Sequence, residues 1–292
     1  MSDKDKPVID EYSGVETTGH DWDGIQELNN PLPRWWLWSF YACILWAIVY
    51  WIFMPSWPLV QDYTRGALGY SQRTVVTNQL AALAEARADL GKKLLANEPE
   101  KIVHDKGLLE FAYAAGKTAF ADNCAGCHGS GAGGAKGYPN LNDDDWLWGG
   151  SLEAIETSIR FGIRATHEET RFSDMPAFGV DELLEKEEIS TLVTYLQGLS
   201  GQPITEPEVL EAGKLLFADN CASCHGDDAK GNREQGAPNL TDAIWLFGKD
   251  KKTIYETVHT GREGMMPAWD GRLDPVTIRA LAVFIHTRGG GE

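Results

Sequence analysis

The sequence predicts an all-α protein, with one N-terminal apolar helix long enough to cross a membrane and then two tandem copies of a small helical domain. Three observations predict it. Trp35 to Met54 carry no charge, the chain from about 108 to 288 repeats itself, and the stretch between has leucines at spacings of three and four among good helix formers.

The 292 residues leave room for about two compact domains and additional segments. The formal net charge is −17, of which residues 1–60 contribute −5 and residues 61–292 the remaining −12. Phosphate repels such a chain, which excludes nucleic acid as a partner, whereas a basic protein would be steered toward it. Four of the five cysteines form two Cys-x-x-Cys pairs. The fifth, Cys43, lies in the apolar run and reads as a small hydrophobe.

Residues 1–34 are polar, acidic and rich in Gly, Pro and Asn, the composition of an irregular arm. The anchor follows at 35–57. The 20 uncharged residues Trp35 to Met54 make a helix about 30 Å long, the thickness of a bilayer core. Trp35, Trp36 and Trp38 mark one interface, Trp51 and Trp57 the other, and Pro55 and Pro58 stop the helix. A cleaved signal peptide would have a shorter run nearer Met1, ending in small residues, so the segment reads as an uncleaved anchor. In the connecting segment 58–107, Val76, Leu80, Leu83, Leu90 and Leu94 predict a helix from Ser71 to about Asn97. It is either a spacer packed on a neighbour or an amphipathic surface helix.

The repeat is plain when Ala115-Gly116-Lys117 and Phe120 to His128 are set against Ala212-Gly213-Lys214 and Phe217 to His225. It continues as Pro139-Asn140-Leu141 with Pro238-Asn239-Leu240, Trp146-Leu147-Trp148-Gly149 with Trp245-Leu246-Phe247-Gly248, and Met175-Pro176-Ala177-Phe178 with Met266-Pro267-Ala268-Trp269. Two domains, 108–200 and 206–288, follow, joined at Ser200-Gly201-Gln202-Pro203. Each is expected to close on itself, its first helix (Gly116 and Phe120, or Gly213 and Phe217) crossing its own last helix (Tyr195, or Phe284). Asp274-Pro275 reads as the cap and first residue of the final helix.

Each Cys-x-x-Cys pair is followed at once by His. That run attaches a c-type haem: Cys124 and Cys127, or Cys221 and Cys224, form thioethers to the vinyl groups, and His128 or His225 reaches the iron. Two covalently bound haem c groups are expected, on two cytochrome c domains. Zinc would need a second ligand pair in each copy, and a thioredoxin-like redox pair a βαβ setting; neither is present.

Met175 and Met266, each in Met-Pro-Ala-aromatic and 47 and 41 residues past its His, are the candidate axial ligands on the far faces, giving His/Met ligation. A lone methionine would be core filling, but repetition at matching positions argues for ligands. Met265 is a rival to Met266, which is preferred because Pro follows it directly, as it does Met175. Which iron each sulfur binds stays open, because a ligand exchanged between copies leaves the same sequence. His20, His104, His167, His259 and His286 are unrepeated and read as surface or structural residues. No nucleophile triad or carboxylate pair recurs in the two copies, so no catalytic residue is assigned and catalysis is left to another subunit.

With these motifs in place, the chain resembles the dihaem subunit III (CcoP, also FixP) of the cbb3-type cytochrome c oxidases. The specific stretch is Gly19-His20-Asp21-Trp22-Asp23-Gly24-Ile25 with Asn30-Pro31-Leu32-Pro33-Arg34-Trp35-Trp36, and the likeness covers nearly the whole chain. The resemblance implies a non-catalytic electron-transfer subunit of a bacterial inner-membrane oxidase. It would take electrons from a soluble cytochrome c or a bc-type complex and relay them through a monohaem cytochrome c subunit to the haem-copper catalytic subunit. It also implies a cytoplasmic N-terminus, periplasmic haem domains, and ligands at Cys124, Cys127, His128, Met175, Cys221, Cys224, His225 and Met266. A cytochrome subunit of a periplasmic dehydrogenase is the alternative.

Overall fold

The computed structural model describes residues 6–203, 206–289 and 291. Residues 1–5 of the expected arm lie outside the described residues. The chain divides into two compact units, Met1–Ala84 and Glu85–Glu292.

In the first unit the arm is not irregular throughout. Strands β1 (Thr17–Trp22) and β2 (Ile25–Leu28) pair antiparallel, with Trp22 opposite Ile25. Asp23 and Gly24, at φ 55° and 91°, make the two-residue turn, and the Asp21 carboxylate accepts from the Gly24 N–H at 2.6 Å. Asp-Gly at that position is a strong hairpin signal, since both residues tolerate positive φ. Helix α1 (Arg34–Phe53) is 20 residues long, apolar, and without a buried residue. A helix apolar on all sides and covered by nothing is built for lipid. Met54 caps it in extended backbone, Pro55 follows, and the Trp51 and Trp57 rings meet at 4.7 Å.

Helix α2 (Gln72–Ala96) runs across the division between the units. Of its apolar positions only Leu94 is fully buried, while Val76, Leu80 and Leu83 are exposed. Its last turns therefore pack and its earlier ones do not. A short helix, α3 (Pro99–His104), follows.

The second unit holds the repeats as α4 (Lys106–Asn123), α5 (Ala125–His128), α6 (Leu152–Phe161) and α7 (Lys186–Leu199), then α8 (Pro207–Asn220), α9 (Ala222–His225), α10 (Lys251–Thr260) and α11 (Pro275–His286). The repeats do not close on themselves. α4 packs on α11 and α8 on α7, while α11 also packs on α6 and α7 on α10. A Cβ on Gly116 would stand 2.2 Å from the Ala280 carbonyl and 2.7 Å from the Phe284 Cβ, and one on Gly213 2.4 Å from the Tyr195 Cβ. The first and last helices of the two repeats have exchanged partners, contrary to the expectation that each repeat closes its own domain.

The cause is connection length. Only seven residues separate Leu199 from Pro207, and a short link between two helices makes them antiparallel neighbours. Once α7 takes α8, α11 is left for α4, and the repeat supplies the same glycine-aromatic crossing in either pairing. Two cores result. One gathers Phe120, Ile155, Ile159, Trp269, Leu281 and Phe284. The other gathers Phe178, Ile189, Leu192, Phe217, Ile254 and Val258. Each fully buried Phe, Leu or Ile contributes about 1.5–3 kcal/mol, so each core needs residues from both repeats.

Candidate metal centres

Each Cys-x-x-Cys-His run is a single helical turn at the end of a longer helix. Cys124 caps α4 and its carbonyl accepts from the Cys127 and His128 N–H groups at 3.1 and 3.0 Å; Cys221 does the same for Cys224 and His225 at 3.1 and 2.9 Å. Helical residues three and four apart share a face, so both sulfurs and the imidazole come to the same side. Gly129 and Gly226, at φ 78° and 79°, end the turns, and the loops fold back through Gly134 N–H to His128 O and Gly231 N–H to His225 O, both 2.8 Å.

Those loops orient the imidazoles. His128 Nδ1 donates to the Pro139 carbonyl at 3.1 Å, and His225 Nδ1 to the Pro238 carbonyl at 3.0 Å. A carbonyl only accepts, so Nδ1 keeps the proton and Nε2 presents its lone pair. Burial lowers the pKa of both imidazoles, the carbonyl bond opposing it, which favours the neutral form a metal requires. Burial, then the neighbouring Cys127 or Cys224, pushes the Cys124 and Cys221 thiols up to about 11. A redox-active Cys-x-x-Cys depresses its thiol pKa, the opposite direction to the shift at Cys124 and Cys221.

The methionine loops carry the exchange into the site. Met266, Cys124 and Trp146 each pack against the first core, and Met175, Cys221 and Trp245 against the second. A cavity of about 600 Å³ is lined by Met175 of the first repeat together with Cys221, Cys224, His225 and Trp245 of the second. Most of its exposed wall is apolar, with charged residues such as Asp145, Arg164 and Arg262 also on it, and its size lies within the range of small-molecule and cofactor sites. Tyr138 and Pro139, from the loop that holds His128, line it as well. Two thiols, one imidazole and a thioether on the wall of one mostly apolar cavity are a donor set that fits a haem.

Comparison with known proteins gives three matches along the chain. Residues 14–61 match the N-terminal domain of cytochrome oxidase-cbb3, FixP; residues 113–200 match cytochrome c; and residues 208–285 match cytochrome c oxidase, cbb3-type, subunit III. A cbb3-type cytochrome c oxidase subunit FixP of Bradyrhizobium sp. (strain ORS 278) is 54% identical over 288 residues, 99% of each chain. The FixP of Sinorhizobium medicae (strain WSM419) is 53% identical over 293 residues and all of both chains. A CcoP subunit of Cereibacter sphaeroides is 50% identical over 288 residues, 98% of this chain and 99% of the relative. The chain belongs to the FixP/CcoP family of cbb3-type oxidase subunits.

As a FixP/CcoP member it is a membrane-anchored cytochrome c subunit whose cytochrome c domains take haem c. The dehydrogenase-subunit alternative is set aside by the full-length matches. Met265 is 68% exposed, while Met266 lies against the core. Two of the unrepeated histidines sit elsewhere. His167 packs at a tilt against Phe161 with ring centroids 5.0 Å apart and stands 3.9 Å from Asp270, and His259 stacks on Tyr255 with centroids 5.7 Å apart. Three features went unread in the sequence. The roles of the Pro139 and Pro238 carbonyls were foreshadowed by the repeated Pro-Asn-Leu. Gly162 and Gly261, which meet the methionine loops, share one repeat position. Arg164 had no signal, because the other copy has Glu263 there.

Proposed function

We propose that this chain is the electron-entry subunit of a cbb3-type oxidase and carries two haem c groups, each held between an imidazole of one repeat and a thioether of the other. The observation that carries the reading is the cavity shared by His225 and Met175, matched by the grouping of Met266 with Cys124 in the other core. On this reading Cys124, Cys127 and His128 hold one haem with Met266, and Cys221, Cys224 and His225 hold the other with Met175.

Haem c supplies a one-electron centre, and a thioether opposite an imidazole raises its potential. The protein's part is to fix geometry. The Pro139 and Pro238 carbonyls hold the Nδ1 protons and so aim Nε2. Pro176 and Pro267 stiffen the loops directly after the sulfurs. His128 with Met266 and His225 with Met175 would hold the two haems, which would supply one-electron transfer, and oxygen reduction would be left to the haem-copper catalytic subunit. The donor is a soluble cytochrome c or a bc-type complex, and the route onward is the monohaem cytochrome c subunit. The net charge of −12 on residues 61–292 suits a basic donor. Residues after α1 face the bacterial periplasm, where c-type haem is attached, and the N-terminus lies in the cytoplasm.

Gentle solubilisation followed by affinity capture of this chain tests the reading. Two haem c per chain, with haem b, copper and oxygen uptake in the captured complex, are expected. One haem per chain, or a partner with a quinone cofactor and no copper, would overturn it.

A further inference from the structure

The two methionine loops meet at the point where the chain crosses from one core to the other. Ile163 and Met266 pair there through two backbone hydrogen bonds, Ile163 N–H to Met266 O at 2.9 Å and Met266 N–H to Ile163 O at 3.0 Å. The next residue is Arg164. Its Nε donates to the Gly264 carbonyl at 2.7 Å and its Nη1 to the Ser173 carbonyl at 2.8 Å. Gly264 is two residues before Met266, and Ser173 is two residues before Met175. One guanidinium thus ties the same position of both loops.

Three further facts mark the arrangement as built. The Arg164 side chain is only 19% exposed. Its backbone has φ 50°, a left-handed conformation uncommon outside glycine, which persists only where surroundings impose it. By the repeat, Arg164 is the counterpart of Glu263, and the two stand 3.7 Å apart. The near-symmetric crossing therefore has one arginine serving both halves, with a carboxylate beside it at the matching position of the other repeat. A planar fork with fixed N–H directions can hold two carbonyls in register, which the point charge of a lysine cannot.

We propose that Arg164 is a positioning residue for both candidate axial thioethers, setting Met175 and Met266 from one side chain and so linking the two haem sites. This rests on the reading that those methionines are the ligands. If the guanidinium is lost, both loops lose their brace and both sulfurs swing more freely, so the two sites change together.

The test uses the full-length chain, matured with haem and purified in detergent, in the variants Arg164→Gln, Arg164→Lys and Glu263→Gln, with Met175→Leu and Met266→Leu as references. The readouts are the thioether-to-iron charge-transfer band of the oxidised protein and a redox titration that resolves the haems. Arg164→Gln is expected to weaken the band at least twofold and lower both potentials, with partial rescue in Arg164→Lys. Glu263→Gln, which keeps a side chain able to hydrogen-bond Asp174 and removes only the charge beside Arg164, is expected to leave the band in place. The proposal is overturned if Arg164→Gln alters neither haem or only one, or if Glu263→Gln reproduces its effect. If the Met→Leu references leave the band unchanged, the ligand reading fails first and takes this inference with it. Should Arg164→Gln yield too little protein, Arg164→Lys decides alone: a wild-type band and wild-type potentials would overturn the proposal.

Discussion

Gly261 lies against Met175, from the other repeat, so closely that a Cβ on the glycine would stand 2.4 Å from the methionine carbonyl oxygen. Its mirror is Gly162, where a Cβ would stand 2.5 Å from the Met266 carbonyl. Both glycines have positive φ, 63° and 74°, so a side chain there is strained as well as crowded. Gly261→Ala should push away the Met175 loop and weaken thioether ligation at the haem on His225 alone. Gly162→Ala should do the same at the haem on His128. Redox titrations of the two variants check this, each expected to lower one potential and spare the other.

The exchanged cores are also pinned by charge. Glu156, on α6, accepts from Arg160 at 2.9 Å and from Arg279 on α11, which in turn donates to the Asn97 carbonyl at 3.3 Å. The Glu156 and Arg279 side chains are 10% and 17% exposed. Removing one partner of a buried pair strands the other charge, so Glu156→Ala should destabilise the chain by about 3 kcal/mol. The double variant Glu156→Leu with Arg279→Leu should recover most of that. Thermal unfolding of the three proteins would check both statements.

Asp145 is the site of a pH dependence. Burial first, then Asp242, Asp143 and Asp144, push its carboxyl up to about 6, against the opposing charge of Arg233. The folded state thus holds a proton that the unfolded chain has already released between about pH 4 and 6, and stability falls as pH rises through that window. Above it the full cost is present; below the unfolded pKa it is absent. The side chain is only partly buried, so the cost at pH 7 is about 1 kcal/mol after allowing for solvent screening. Asp145→Asn should melt higher than wild type at pH 7 and together with it at pH 4.

Much of this was legible from residues. Trp35 to Met54 gave the anchor to within one residue of Arg34–Phe53, and Ser71 to Asn97 gave α2 equally closely. Strong periodicity and proline stops define such helices locally. The two Cys-x-x-Cys-His turns stood out in the sequence because two thiols and an imidazole at that fixed spacing leave few other uses. Asp23-Gly24 was readable too, as a hairpin turn, but the polar composition around it masked the signal. The partner exchange was not legible from the repeat, and for a physical reason. Gly116 with Phe284 and Gly213 with Tyr195 make the same contact as the within-repeat pairing would, so identical sequence serves both topologies. Only the seven-residue link between α7 and α8 breaks the tie. Arg164 escaped notice because its role exists only once the two methionine loops have been brought together.

The proposed crossed ligation is tested in a protein with one haem removed. In a chain carrying Cys221→Ala and Cys224→Ala, the remaining haem sits on Cys124, Cys127 and His128, and its thioether band reports one sulfur. Adding Met266→Leu should abolish that band, and adding Met175→Leu should leave it. The opposite pattern, loss with Met175→Leu and retention with Met266→Leu, would mean that each repeat ligates its own iron and would contradict the exchanged architecture of the sites.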